Sequence, residues 1–227
     1  MRRIVLFDID GTLLWGGPAK GAFCEAMVET YGTEGDVDGV SFAGKTDPQI
    51  ARQLLRGTGM DHEAIEGRFD ELWTRYLALL EARLPDDPVT VLPGVTDLLA
   101  ALAAYDDVGV GLLTGNIIGG ARLKLESAGL WDQFRFGSYG SDHEERNQLP
   151  AIAVDRARDL WGPSLRAADA IVVGDTPSDV ACGKAGGMRT LAVATGSFSL
   201  GDLEVTGPDH ILEDLCSTTG VVTLLIE

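Results

Sequence analysis

Four short apolar runs restrict the fold of this chain more than any other feature: RIVLF at 3–7, VGVGLL at 108–113, AIVVG at 170–174 and RTLAVAT at 189–195. Past their first residues they are near-continuously apolar rather than alternating, the pattern of strands buried on both faces, as in a parallel sheet covered by helices. Turn residues follow, and then helical patterns: VTDLLAALAAY, IGGARLKLESAGL closing at Gly129, LPAIAVDRARDLW and SDVACGKAGG. This alternation with short links predicts an open α/β sheet.

Residues from about 16 to 90 break the alternation. They read as helices only: AKGAFCEAMVETYG, DPQIARQLLRGTG, and HEAIEGRFDELWTRYLALLEARL as one long helix that closes at Pro85 and Pro88. The economical reading is a small helical domain, 16–90, inserted into a core made of 1–15 and 91–227. WGGP and PDDPVTVLPG are its linkers, where Gly and Pro cluster. A chain of 227 residues is long enough for a core and an insert of that kind.

Three strand ends finish in groups that can do chemistry. The first runs into DIDGT, with Asp8 and Asp10; the second into TGN, with Thr114, Gly115 and Asn116; the third into GDTPSD, with Asp175 and Asp179. In a parallel sheet the C-terminal ends of neighbouring strands share one edge, so these residues should converge on one crevice. Any one Asp alone is an ordinary turn former or helix N-cap, but four at the ends of two strands are not accounted for that way. Carboxylates gathered so closely repel and raise one another's pKa unless a cation is present. A hard divalent ion, Mg²⁺, takes few protein oxygens and pairs with substrate phosphate. Thr114, Gly115 and Asn116 offer a hydroxyl, an unhindered N–H and an amide before a helix, which suits an anion and equally suits a plain N-cap.

Charge narrows the partners. Lys and Arg number 18 against 35 Asp and Glu, a formal charge of -17, with the acids spread along the whole length. That argues against nucleic acid and against an anionic membrane surface. Cys24, Cys182 and Cys216 are odd in number and widely spaced, and read as reduced and buried, hence a cytoplasmic protein. The apolar run in MRRIVLFDIDG is too short for a signal peptide.

FDIDGTLL, LLTGN and VVGDTPSDVACGKAGG, in that order, resemble three motifs of the haloacid dehalogenase-like (HAD-like) hydrolases, and specifically of the phosphoglycolate phosphatase-like phosphatases. The resemblance covers nearly the whole chain. It implies a Rossmann-like, doubly wound parallel sheet core with an inserted α-helical cap domain over the active site. Asp8 would be the nucleophile that forms an aspartyl-phosphate, and Asp10 the acid that protonates the leaving alcohol and then the base that activates water. Mg²⁺ would be held by Asp8, the backbone carbonyl of Asp10 and Asp175, with Asp179 orienting water or standing behind the ligands. Thr114 and Asn116 would hold the transferring phosphoryl. The dehalogenating members lack the second aspartate, because halide departs without a proton, so Asp10 favours a phosphatase.

Such enzymes place a lysine between the second and last of these motifs. The interval holds only Lys124, inside the helix after TGN and, as the sequence reads, on the wrong side of the next strand; Lys184 lies after the last motif. The loop after the strand-like RFGSYG instead carries Arg146, which can grip phosphate with two N–H groups. Its bland alternative is a surface ion pair with Glu144 or Glu145, worth little. In the insert, FAGKTDPQI resembles the family's loop over the substrate: Lys45 would meet an anionic group of the substrate or be merely solvated, and Thr46 and Asp47 read as a helix start. Trp73, Trp131 and Trp161 sit at apolar helical positions and read as core; His62, His143 and His210 show no ligand spacing.

The expected activity is hydrolysis of a small phosphorylated metabolite by a monomer or homodimer, with phosphoglycolate as the analogy's substrate. A phosphosugar mutase of the β-phosphoglucomutase kind would use the same two aspartates. Receiver domains also gather acids at strand ends, but the D-x-D spacing and the long helical insert argue against one. An inactive binding protein is the third alternative.

Overall fold

The computed structural model describes residues 3–227. Strand β1 (Arg3–Phe7) leads through β2 (Leu14–Trp15) into four helices, α1 (Ala19–Tyr31), α2 (Asp47–Leu54), α3 (His62–Glu66) and α4 (Phe69–Arg83). The chain returns through β3 (Thr90–Val91) and α5 (Val95–Leu102) to β4 (Val108–Leu113), α6 (Ile118–Ser127), β5 (Gly137–Ser138) and α7 (Leu149–Trp161). It ends with β6 (Ala170–Gly174), α8 (Pro177–Ala185), β7 (Arg189–Val193), α9 (Leu200–Glu204), β8 (His210–Leu212) and α10 (Thr218–Ile226).

The main sheet has the order β5-β4-β1-β6-β7-β8, with every pair parallel. Side chains alternate across β1: Val5 and Phe7 face α5, α6 and α10 through Leu98, Leu125 and Leu225, while Ile4 and Leu6 face α7 through Leu149 and Ala153. Both faces are covered, as in a doubly wound fold. A fully buried Val, Leu or Phe contributes about 1.5–3 kcal/mol, so β1 fixes firmly whatever follows it. Phe7 stands opposite Leu112 on one side and Val173 on the other. The residues just past β1, β4 and β6 therefore meet at one edge.

Three of the four strands keep the bounds expected of them, and the fourth stops at Val193. RFGSYG pairs only at Gly137 and Ser138, and the edge strand β8 was not anticipated. The expected linkers are a two-stranded antiparallel ribbon, Leu14 opposite Val91 and Trp15 opposite Thr90.

The helical cap has a core of its own, including Phe23, Met27, Leu54, Leu72, Tyr76 and Leu80. The single long helix expected over 62–84 is broken. Asp61 caps α3 by accepting from the Ala64 N–H at 2.8 Å, and Arg68, with φ -116° and ψ 9°, leaves helical geometry before α4 begins. Gly67 makes the break cheap, and the break lets Ile65 turn inward, where its carbonyl accepts from the Tyr31 hydroxyl at 2.7 Å. The cysteine reading also needs correction. All three are free thiols, but only Cys182 is buried; Cys24 is half-buried, and Cys216 is exposed in the polar turn before α10. Trp73, Trp131 and Trp161 are partly buried against core side chains. Among the described residues, no helix is long and apolar enough to cross a membrane.

Candidate active site

Asp8 follows β1 directly, and its N–H donates to the Val173 carbonyl at 2.9 Å, continuing the ladder one residue past the strand. Neighbouring strands supply what surrounds its carboxylate. From the end of β4, Thr114 stands beside Asp8 and favours its ionised form. Beyond β6, Asp175 accepts from the Thr12 hydroxyl at 2.9 Å. This closeness depends on Gly11: it has φ +89°, and a Cβ there would lie 2.3 Å from Asp175 Oδ2. Carboxylate oxygens of Asp8, Asp175 and Asp179 all lie within 4.8 Å of one another.

Arg146 enters the same cluster. Its Nη2 is 3.1 Å from Asp8 Oδ1 and donates to Asp179 Oδ1 at 2.5 Å, while its buried Nε has no partner. Asp179 is also the capping partner at the start of α8. Its Oδ2 accepts from the Thr176 N–H at 3.0 Å and hydroxyl at 2.6 Å. Both oxygens of Asp179 are thus engaged, which suits a residue that holds Arg146 in place. The surface ion pair considered for Arg146 does not form with Glu144, which pairs with Arg52 at 2.6 Å.

Burial first, then the nearby charges of Asp179 and Asp10, raise Asp8 to about 6 against the pull of Arg146. Burial and the negative neighbours Asp179 and Asp8 raise Asp175 to about 8. Two carboxyls held this far up lack a positive charge. The donor set, buried and all oxygen, fits a hard divalent cation.

Asp10, two residues on, turns away from that cluster. Lys124 Nζ donates to both of its oxygens at 2.8 Å and to Asn116 Oδ1 at 2.7 Å, and Asn116 Nδ2 donates to Asp10 Oδ2 at 2.7 Å and to Thr114 Oγ1 at 2.9 Å. Burial works against its ionised form, but the Lys124 ammonium outweighs it and holds Asp10 below the ordinary carboxylate value. Lys124 is 3% exposed. Its expected place on the wrong side of the next strand is therefore corrected. It lies on the buried face of α6 with Gly120, Ala121 and Leu125, and α6 starts immediately after TGN, so two turns of helix run back over the sheet edge. The signal was a lysine at the apolar spacing of its helix, behind residues small enough to let it approach. Asn116, expected as a phosphoryl donor, spends its amide on this ring of contacts.

The cap closes the crevice through 42–50. Thr46 caps α2, accepting from the Gln49 N–H, and donates its hydroxyl to the Glu144 carbonyl at 2.7 Å. The Asp47 N–H donates to the Gly115 carbonyl at 2.8 Å, and Asp47 Oδ2 accepts from the Ile117 N–H at 2.7 Å. A Cβ on Gly115 would sit 2.0 Å from the Lys45 carbonyl, so the glycine admits the loop. Asp47, read from sequence only as part of a helix start, is buried in the site and raised to about 6 by burial, against Lys124. Lys45 lines the cavity, and its ammonium donates to Gln53 Oε1 at 2.5 Å.

A cavity of about 440 Å³ runs from Asp8, Asp10 and Arg146 up to Phe23, Phe42 and Tyr76 of the cap. Its inner end can hold an anion against the Asp8 carboxylate, with Thr114 and Arg146 beside it.

Known proteins are similar along the whole chain. The HAD-hydrolase-like family model matches residues 148–218. The Dickeya dadantii protein named "Probable phosphatase IndB" is 27% identical over 100% of this chain and 96% of its own length. A phosphoglycolate phosphatase of Pseudomonas fluorescens is 26% identical over 94% of this chain and 77% of its own. The crystal structure of a hydrolase from Pseudomonas syringae superposes with a TM-score of 0.65 at 19% identity and covers both chains fully. With the ordered motifs, the doubly wound sheet and the helical cap, these similarities support a haloacid dehalogenase-like protein that resembles the phosphoglycolate phosphatases.

Proposed function

We propose that the chain is a Mg²⁺-dependent phosphatase acting on a small phosphorylated metabolite through an aspartyl-phosphate on Asp8. The observation that carries this reading is that two carboxylates leaving one strand end are held in opposite electrostatic states, one beside Arg146 and the acid cluster, the other on Lys124. Environments that separate two like groups in this way separate their roles.

Asp8 attacks phosphorus in line, its carboxylate oriented by the Thr114 hydroxyl, and the ester oxygen departs towards Asp10. Arg146 offers N–H groups to the phosphoryl oxygens and takes up their charge. In the resting site Lys124 keeps Asp10 ionised, the state needed to draw a proton from water in the second half of the reaction. In the first half, the phosphate ester arriving beside Asp10 adds negative charge and raises its affinity for the proton it must deliver to the leaving alcohol. Asp8, Asp175 and the Asp10 carbonyl would hold Mg²⁺, which when bound neutralises charge between carboxylate and phosphate oxygens. The cap, 16–90, opens for entry about the β2–β3 ribbon and closes to exclude water.

The test is phosphate release from a panel that includes phosphoglycolate and a hexose 1-phosphate, with and without Mg²⁺. Free phosphate is expected as the product; an isomeric phosphosugar would mean a mutase. Asp8→Asn should lose at least about a thousandfold in kcat and Arg146→Ala about 10–100-fold. Full activity in Asp8→Asn overturns the mechanism.

A further inference from the structure

The cavity is larger and more apolar than the analogy's substrate requires. Phosphoglycolate has nine non-hydrogen atoms. Even if each took the ~30 Å³ that a water molecule occupies in the liquid, it would leave about two fifths of the 440 Å³ unused. Past the phosphoryl end the walls are aromatic. The Phe23 and Tyr76 rings meet edge to face with centroids 5.3 Å apart, and Phe42 adds a third ring 5.8 Å from Phe23. At the mouth, Trp15 on β2 is half exposed and faces the same cavity.

The cations near this wall are already engaged. Lys20 Nζ lies 5.1 Å from the centre of the Phe42 ring, and Lys45 Nζ donates to Gln53. A carboxylate two carbons from phosphorus would therefore meet ring faces and edges, where losing its water is costly. A flat ring would gain both apolar burial and ring-to-ring contact.

We infer that the preferred substrates are phosphate monoesters whose leaving alcohol carries an aromatic or heteroaromatic ring, seated against Phe23, Phe42 and Tyr76 with Trp15 closing over it. The inference rests on the phosphatase reading and specifies its leaving-group pocket. Phosphoglycolate is then a poor substrate.

Benzyl phosphate and ethyl phosphate test this, because both release a primary alcohol and differ in the ring. With the full chain and Mg²⁺, kcat/KM for benzyl phosphate should exceed that for ethyl phosphate and for phosphoglycolate by about tenfold or more. The benzyl-to-ethyl ratio should fall several-fold in Phe42→Ala, and also in Trp15→Ala, whose exposed side chain can be removed without disturbing the fold. A ratio near one, or a preference for phosphoglycolate, overturns the inference. Calorimetric binding of benzylphosphonate against ethylphosphonate needs no turnover. Tenfold tighter binding of the former supports the pocket even if no ester is hydrolysed, in which case the phosphatase reading alone has failed; equal binding overturns the pocket.

Discussion

Asp8 and Asp10 leave one strand two residues apart and arrive in opposite surroundings. Asp8 is almost fully buried among Asp175, Asp179 and Arg146, and its carboxyl is raised to about 6. Asp10 has about half of its side chain facing the cavity, is held by Lys124 and Asn116, and is lowered. The difference teaches that the D-x-D spacing does not itself assign roles. It delivers two like groups to two environments, and the elements packed there, α8 and the loop of Arg146 on one side and α6 on the other, suit one, in the proposed mechanism, to act as nucleophile and the other as proton carrier.

The strongest way to sharpen this contrast is to remove the second acid while keeping the first. Asp10→Asn should lose about 10²–10⁴-fold in kcat on alkyl phosphates yet still transfer phosphoryl to Asp8 from 4-nitrophenyl phosphate, whose leaving group needs no proton. Burst kinetics and mass spectrometry of the trapped acyl phosphate check it; equal loss on both substrates would merge the two roles.

A smaller effect is expected from Lys124→Met, about tenfold in kcat. With the ammonium gone, Asp10 is no longer held down, so the basic limb of the kcat/KM profile, where Asp10 must still carry the proton it donates, should move to higher pH. An unmoved limb would leave Lys124 a packing role only.

The smallest effect concerns stability, and here the two acids pull in opposite directions. Asp8 and Asp175 keep protons in the folded chain that the unfolded chain has released, so between about pH 4 and 8 the metal-free protein loses stability as pH rises. Asp10, lowered, contributes stability that is present above the ordinary carboxylate pKa and lost as pH falls below it. Asp175→Asn should therefore raise the Tm of metal-free protein at pH 8 by about 2–6 °C, for about 1–2 kcal/mol, and leave it unchanged at pH 4. Thermal unfolding in chelator at the two pH values decides this.

What could be read from the sequence follows the same division. Asp8, Asp175 and Thr114 were legible because each stands one residue past an apolar run, and parallel register does the rest. Arg146 was legible from its place in the loop after RFGSYG, where a lysine would be expected and none stands, and the structure brings it to Asp8. Order along the chain does not point to Lys124; only the helical period of α6, which turns it inward, does. Asp47 left no trace, since its burial comes from a cap loop meeting a core turn some 70 residues away in the chain. The break at Gly67 was hidden by helical patterns on both sides of it.

The docking of that loop has a consequence for how such a protein can change. The grip runs through the side chains of Thr46 and Asp47 and, around Lys45, through main-chain atoms: the Asp47 N–H on the Gly115 carbonyl, and the Lys45 carbonyl resting where Gly115 has no side chain. Main-chain contacts do not depend on which residues occupy 42, 43 and 45. These positions can be exchanged while closure is kept, so the substrate range can drift through the loop as the chemistry beneath stays fixed. Gly115→Ala would do the reverse, leaving each catalytic group in place and wedging the lid away from them.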